Sequence, residues 1–156
     1  KIIHTTKEFL LRGPYTNTVT FGDLGEVDLA KKTIYPLAHI SVDNVQFNGP
    51  VAGFELKIMV MDIVDENNDE GDTYDIFYGN DNTQDILNAQ MSVLQRVYAE
   101  ITRGELRQAP FELEDGILNA EPFVDRFKNK LAGWTSTMNI IIPNDTSITN
   151  SNGSEC

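Results

Sequence analysis

A chain of 156 residues, 40% hydrophobic and 23% charged, can bury one core without staples and is too apolar for whole-chain disorder. Its formal net charge of −12 disfavours tight nucleic-acid binding through the overall field, because such a surface repels phosphates. No apolar run reaches the roughly 20 residues of a membrane-spanning helix, and the longest, around Ile58–Val64, is interrupted by Asp62.

The chain opens at Lys1 without an initiator methionine, so a processed or omitted start is expected. KIIHTTKEFLL has neither the long apolar region nor the small-residue cleavage site of a signal peptide. Residues Ile3–Leu11 predict a short helix ended by Gly13-Pro14. Asn17–Phe21 is β-prone, and Gly22–Lys32 reads as an acidic connection. From Ile34 to Asn48 the sequence predicts a strand, with Pro36 near its start, where a missing donor is tolerated.

Asn48-Gly49-Pro50 separates two β-prone runs and predicts a hairpin. In the returning strand, Phe54–Val64, the residues Phe54, Leu56, Ile58, Val60 and Val64 share one side. Glu55 and Lys57 begin the other side, which turns into Met59, Met61 and Ile63, so that end should be covered on both faces. Asp65–Asn82 is a long acidic loop, too long for a mere turn, and is expected to be an assembly surface.

Thr83–Arg103 is the best helix in the chain. Leu87, Met91, Leu94, Tyr98 and Ile101 follow a 3-4 spacing, flanked by Ile86, Val93 and Val97. Asp81 with Gln84, or Asn82 with Asp85, can cap its start, and Gly104 follows its end. Leu106–Leu118 is less regular, with Pro110 before a short FELE strand. The fold class that results is α+β: a mostly antiparallel sheet, one long helix packed on a face and a short N-terminal helix. Residues 1–145 form one domain, and 146–156 a flexible polar tail.

Chemistry is sparse. Asp65-Glu66-Asn67-Asn68-Asp69 starts like a calcium loop, but position six is Glu70 and position twelve is Ile76, where Gly and Glu are required. His39, in an apolar strand, reads as a hydrogen-bonded structural histidine. Asp62 is the one candidate for a perturbed carboxylate, with a strand-end residue bonded to a neighbouring loop or chain as its simpler role. No serine lies in a nucleophile elbow, and GDLGE has neither the spacing nor the lysine of a phosphate-binding loop. Cys156 alone forms neither an internal disulfide nor a zinc site, and a reducing compartment suits it. No catalytic residue, cofactor or metal is expected.

The segment Glu121–Asp145, EPFVDRFKNKLAGWTSTMNIIIPND, places Trp134, Met138, Ile140 and Ile142 on one side of a strand that Pro143 ends. Before it lies a charged stretch with Asp125, Arg126, Lys128 and Lys130. From residues alone the chain reads as an α+β assembly domain.

Four segments carry a resemblance: Thr18–Ile40, Phe54–Asp69, Gly79–Val97 and Glu121–Asp145. Together they resemble the small neck and tail-completion proteins of tailed bacteriophages, including the tail terminators. The resemblance implies a virion structural protein, assembled in the host cytoplasm, forming a ring at the head–tail junction or tail end. Its expected partners are further copies in a closed six-fold or twelve-fold ring and neighbouring neck, portal-adaptor or tail-tube proteins. Genomic DNA would pass through the lumen without specific binding, and no membrane would be involved. Expected assembly contacts are Asp125, Arg126, Lys128 and Lys130 in the charged stretch, with Asp65, Glu66 and Asp69 in the acidic loop. The alternative is a monomeric protein-binding module, with a cation as an optional cofactor.

Overall fold

The computed structural model describes residues 2–65, 82–104, 112–126 and 130–144. It is an α+β fold: a six-stranded mixed, mostly antiparallel sheet carrying one 21-residue helix, with a short helix at the N-terminus. In chain order the elements are α1 (Ile2–Leu11), β1 (Thr18–Phe21), β2 (Leu37–Asn48), β3 (Val51–Ile63), α2 (Thr83–Arg103), β4 (Glu112–Leu113), β5 (Asn119–Arg126) and β6 (Leu131–Pro143). The strands lie in the order β1-β2-β3-β6-β4, and β5 pairs with β6 on the same side as β4. The expectations for residues 66–81, for Leu106–Pro110 and for the tail 146–156 lie outside the described residues.

Strands β3 and β6 form the spine. They pair antiparallel without a slip from Val51↔Pro143 to Ile63↔Leu131. Cross-strand partners share a face, so Leu56, Ile58 and Val60 stand beside Met138, Ser136 and Trp134 on the side that α2 covers. That face forms the main core with Ala38, Ile40, Val93, Leu94, Val97 and Ile101.

Among the described residues the opposite face is covered only at one end. There Leu37, Met59, Met61 and Leu131 pack against Tyr35, with Leu24, Val27, Leu29 and Ile34 from the connection between β1 and β2. This fulfils the expectation that Met59, Met61 and Ile63 needed a second cover. The connection holds its shape by two 3₁₀ turns, Leu24–Glu26 and Lys32–Ile34. The Asp23 carboxylate caps the first by accepting from the Gly25 N–H.

Helix α2 has the predicted bounds but a rotated face. Its buried residues are Ile86, Gln90, Val93, Leu94, Val97 and Ile101. Of the predicted seam only Leu94 and Ile101 are buried, while Leu87 and Met91 are half-buried and Tyr98 is 37% exposed. Two overlapping apolar stripes run along this helix, and Tyr98 belongs at the margin because its hydroxyl needs a partner. It donates to the Gly116 carbonyl at 3.1 Å. The cap also differs from expectation: Asn82 makes no side-chain bond to the helix, and its Oδ1 instead accepts from the Asp65 N–H at 2.7 Å. The Trp134 indole N–H donates to the Leu87 carbonyl at 2.8 Å, tying β6 to α2.

The β-prone segment Asn17–Phe21 forms β1 as expected, but its pairing was not foreseen, and β5 is a strand the sequence did not single out. β1 pairs parallel to β2 (Thr18↔Leu37 to Phe21↔Ile40), which local sequence cannot specify. β5 (NAEPFVDR) lacks alternation and holds Pro122, and it takes in Asp125 and Arg126 of the charged stretch. Its pairing to β6 forms it, and a proline is tolerated there because the strand has β6 on one side only among the described residues.

Gly133 sits where β6 crosses the spine most closely. A methyl group there would run into the backbone of Val60 and Met61, whereas one at Gly53 would meet nothing. Gly133→Ala should therefore cost about 2–3 kcal/mol through backbone displacement. Gly53→Ala should be neutral or stabilising by about 0.5 kcal/mol through the unfolded chain. Urea unfolding of the two variants checks this, and equal midpoints would refute the close approach.

Candidate assembly surface

The sheet is longer than its covers. β1 accompanies β2 only through Ile40, and the Gly22 N–H donating to the Ile40 carbonyl closes that pairing. Beyond it, β2 shifts register between Val42 and Asn44 and continues to Asn48 with β3 as its one partner among the described residues. Gly49, with φ +59, and Pro50 make the hairpin turn, the glycine taking a conformation other residues resist. The far half of β2 is exposed throughout, with Phe47 at 73%. Val45 and Phe47 stand opposite Phe54 and Ala52, on the α2 side of the sheet.

From Asn44 to Phe54 this arm contains no charged residue, in a chain with 24 acidic and 12 basic side chains. An unpaired backbone edge bearing exposed apolar side chains is a template for strand addition unless something blunts it. Among the described residues the devices here are the register shift at Asp43 and an ion pair from Lys57 to Asp43 at 3.3 Å. Sequence reasoning found the hairpin but assigned no contact to it. The signal that was available is the charge-free run.

On the open part of the second face lies a polar groove of about 380 Å³, lined by Asn44, Gln46, Glu55, Asp115, Asn119 and Asn139 among others. Its amides and carboxylates offer hydrogen bonds but no base paired with a nucleophile. Among the described residues no cluster of histidine, cysteine or carboxylate side chains could hold a metal ion.

The structure describes some of the predicted contact residues. Asp125 and Arg126 belong to the end of β5, where the structure describes their backbone only, and not to the loop expected from sequence. Lys130 is exposed and follows at φ +49, one residue before β6. Lys128 lies outside the described residues, as do Glu66 and Asp69. Asp65 is exposed, and its N–H is bound to Asn82. The Val64 N–H donates to the Lys130 carbonyl, so the base of the acidic connection and the β5–β6 turn meet at one end of the sheet.

The two groups singled out for chemistry have structural work. His39 is 2% exposed, with Nδ1 at 2.8 Å from the Thr20 hydroxyl and Nε2 at 3.1 Å from the Gly22 carbonyl. A carbonyl can only accept, so Nε2 carries the proton and Nδ1 accepts from Thr20. Burial lowers the His39 pKa, opposed by the Gly22 carbonyl and by Asp23. The ring thus joins β1 to β2 in its neutral form. Asp62 accepts from the Ile63 N–H at 2.8 Å, and burial raises its pKa against that bond. That bond is to its own strand. Tyr35 donates to the Leu29 carbonyl, and its pKa is pushed up to about 12 by burial, with Asp62 and Asp28 adding to the shift.

A comparison with protein-family models finds no match, and a comparison with curated proteins finds none either.

The His39 arrangement gives a signed pH dependence. A histidine depressed in the folded state stabilises fully above its ordinary value of 6.5 and loses that contribution as pH falls through the folded value, since the unfolded chain takes up the proton first. The urea midpoint of the wild type should fall as pH drops from 7.5 to 5.5. That of His39→Leu, less stable at pH 7.5, should stay flatter. Parallel curves for the two would remove His39 as the cause.

Proposed function

We propose that this chain is the subunit of a closed ring in the neck or tail end of a tailed bacteriophage, a tail-terminator or tail-completion role. The observation that carries the reading is the β2 edge, uncharged from Asn44 to Asn48 and without a partner among the described residues, the kind of edge a β-rich domain leaves open when another chain is to cover it. A ring supplies that cover by head-to-tail contacts that close on themselves. The resemblance over four segments supplies the particular setting. The net charge of −12 suits a lumen that lets DNA pass without holding it, since like charges reduce adhesion.

On this reading the partners are further copies of the chain and the adjoining neck, portal-adaptor or tail-tube proteins. The site of action is the virion, and no reaction is catalysed. The second reading, a monomeric binding module, takes its support from the polar groove on the open sheet face. In that case the groove, and not the β2 edge, would be the contact surface.

Genetic removal separates the two. Particles lacking the chain should show unjoined heads and tails, or tails of uncontrolled length. Normal, DNA-filled, joined and infectious particles would end the ring reading. Arg126→Glu with Lys128→Glu should give the same assembly defect with a melting temperature within a few degrees of wild type, surface charges contributing about 0.5 kcal/mol or less each.

A further inference from the structure

We propose that neighbouring copies join by strand addition, the open edge of β2 in one copy pairing antiparallel with the outer edge of β5 in the next. This rests on the ring reading for closure only; the pairing itself is argued from the sheet.

Strand directions come first. β2 is antiparallel to β3, β3 to β6 and β6 to β5, so β2 and β5 run in opposite directions. A second copy moved sideways in the plane of the sheet, without being turned over, therefore brings its β5 alongside β2 as an antiparallel neighbour. The same movement keeps each face of the sheet continuous. Val45 and Phe47 then share a face with Ala120 and Pro122, the residues paired with Ser136 and Trp134.

The lengths agree as well. The free part of β2, from Val42 to Asn48, faces an eight-residue β5. β1 fills the same column beside the first part of β2, and an added β5 continues that column beyond Phe21, another exposed apolar side chain.

Charge chooses the partner. Two bodies of −12 repel, so close contact is favoured where negative charge is sparse or offset by basic residues. The β2–β3 arm is uncharged from Asn44 to Phe54. β5 itself carries Glu121, Asp125 and Arg126, and in sequence the run from Pro122 to Trp134 has three basic residues against one acidic. An acidic neighbour is attracted to that side and can add its neutral arm there.

The pairing also sets the step between copies. β5 is centred at the level of Trp134 and Val60, whereas the free stretch of β2 is centred at the level of Phe54. The difference is six residues, a shift of about 20 Å along the strands. Each copy adds four strand columns, about 19 Å across. The strands would then tilt by roughly 45° to the line of copies, close to the tilt of closed barrels.

The test uses the full chain with Cys156→Ser, Val45→Cys and Val124→Cys, treated with a short bismaleimide at a concentration where light scattering shows association of the wild type. A covalent ladder of dimer, trimer and higher species is expected, with no ladder from either single-cysteine variant, because a head-to-tail contact needs both surfaces. Phe47→Lys, at a position already exposed, should keep the wild-type circular dichroism and weaken association at least tenfold. A dimer from Val45→Cys alone would mean that the arm pairs with itself. No covalent oligomer from the double variant, or a wild-type chain monomeric at every concentration, would overturn the pairing. Closed rings that form without the cross-link would leave the ring reading standing and this contact wrong. A ladder that grows only into open filaments would do the reverse.

Discussion

The uninterrupted register between β3 and β6 is the constraint on which the rest of the structure depends. A slip of one residue would exchange the faces of both strands. Leu56, Ile58 and Val60 would leave the α2 side, and Met59 and Met61 would lose the cover of the β1–β2 connection. Gly133 reinforces the register, since it lets β6 approach the Val60–Met61 backbone where any side chain would intrude. The spine also extends past the helix and the connection, and this excess length creates both the polar groove and the free β2 edge.

Much of this was legible in residue patterns with a clear period. The alternation in Phe54–Val64 and Trp134–Ile142 marks the two spine strands, and the 3-4 spacing marks α2 from Thr83 to Arg103. What stayed hidden depended on tertiary choices. Gln90 is buried at the centre of α2 although polar, its amide lying 3.5 Å from the Tyr15 carbonyl, and no helical pattern marks such a residue as core. β5 exists because β6 offers it an edge, so a segment with Pro122 and three charged residues becomes a strand against its local preference. The assembly contacts were sought among charges, where sequence draws the eye. The charge-free run between Asn44 and Phe54 was equally legible but stands out only once β2 is seen to lack a second partner among the described residues.

His39, Asp62 and Tyr35 show how an apparent reactive group is absorbed by the fold. Each is held by a backbone or hydroxyl partner within its own neighbourhood, and burial moves each pKa toward the neutral form. His39 fastens the end of β1 to β2, which fixes where the free edge begins.

Electron cryomicroscopy of the assembled particle, resolved at the neck and tail end, tests the ring reading most directly. The account predicts a closed ring of this chain around the DNA path, with each subunit's sheet continued by the next. Density showing the chain absent from the particle, or present only as isolated copies with their β2 edges open to solvent, would contradict it.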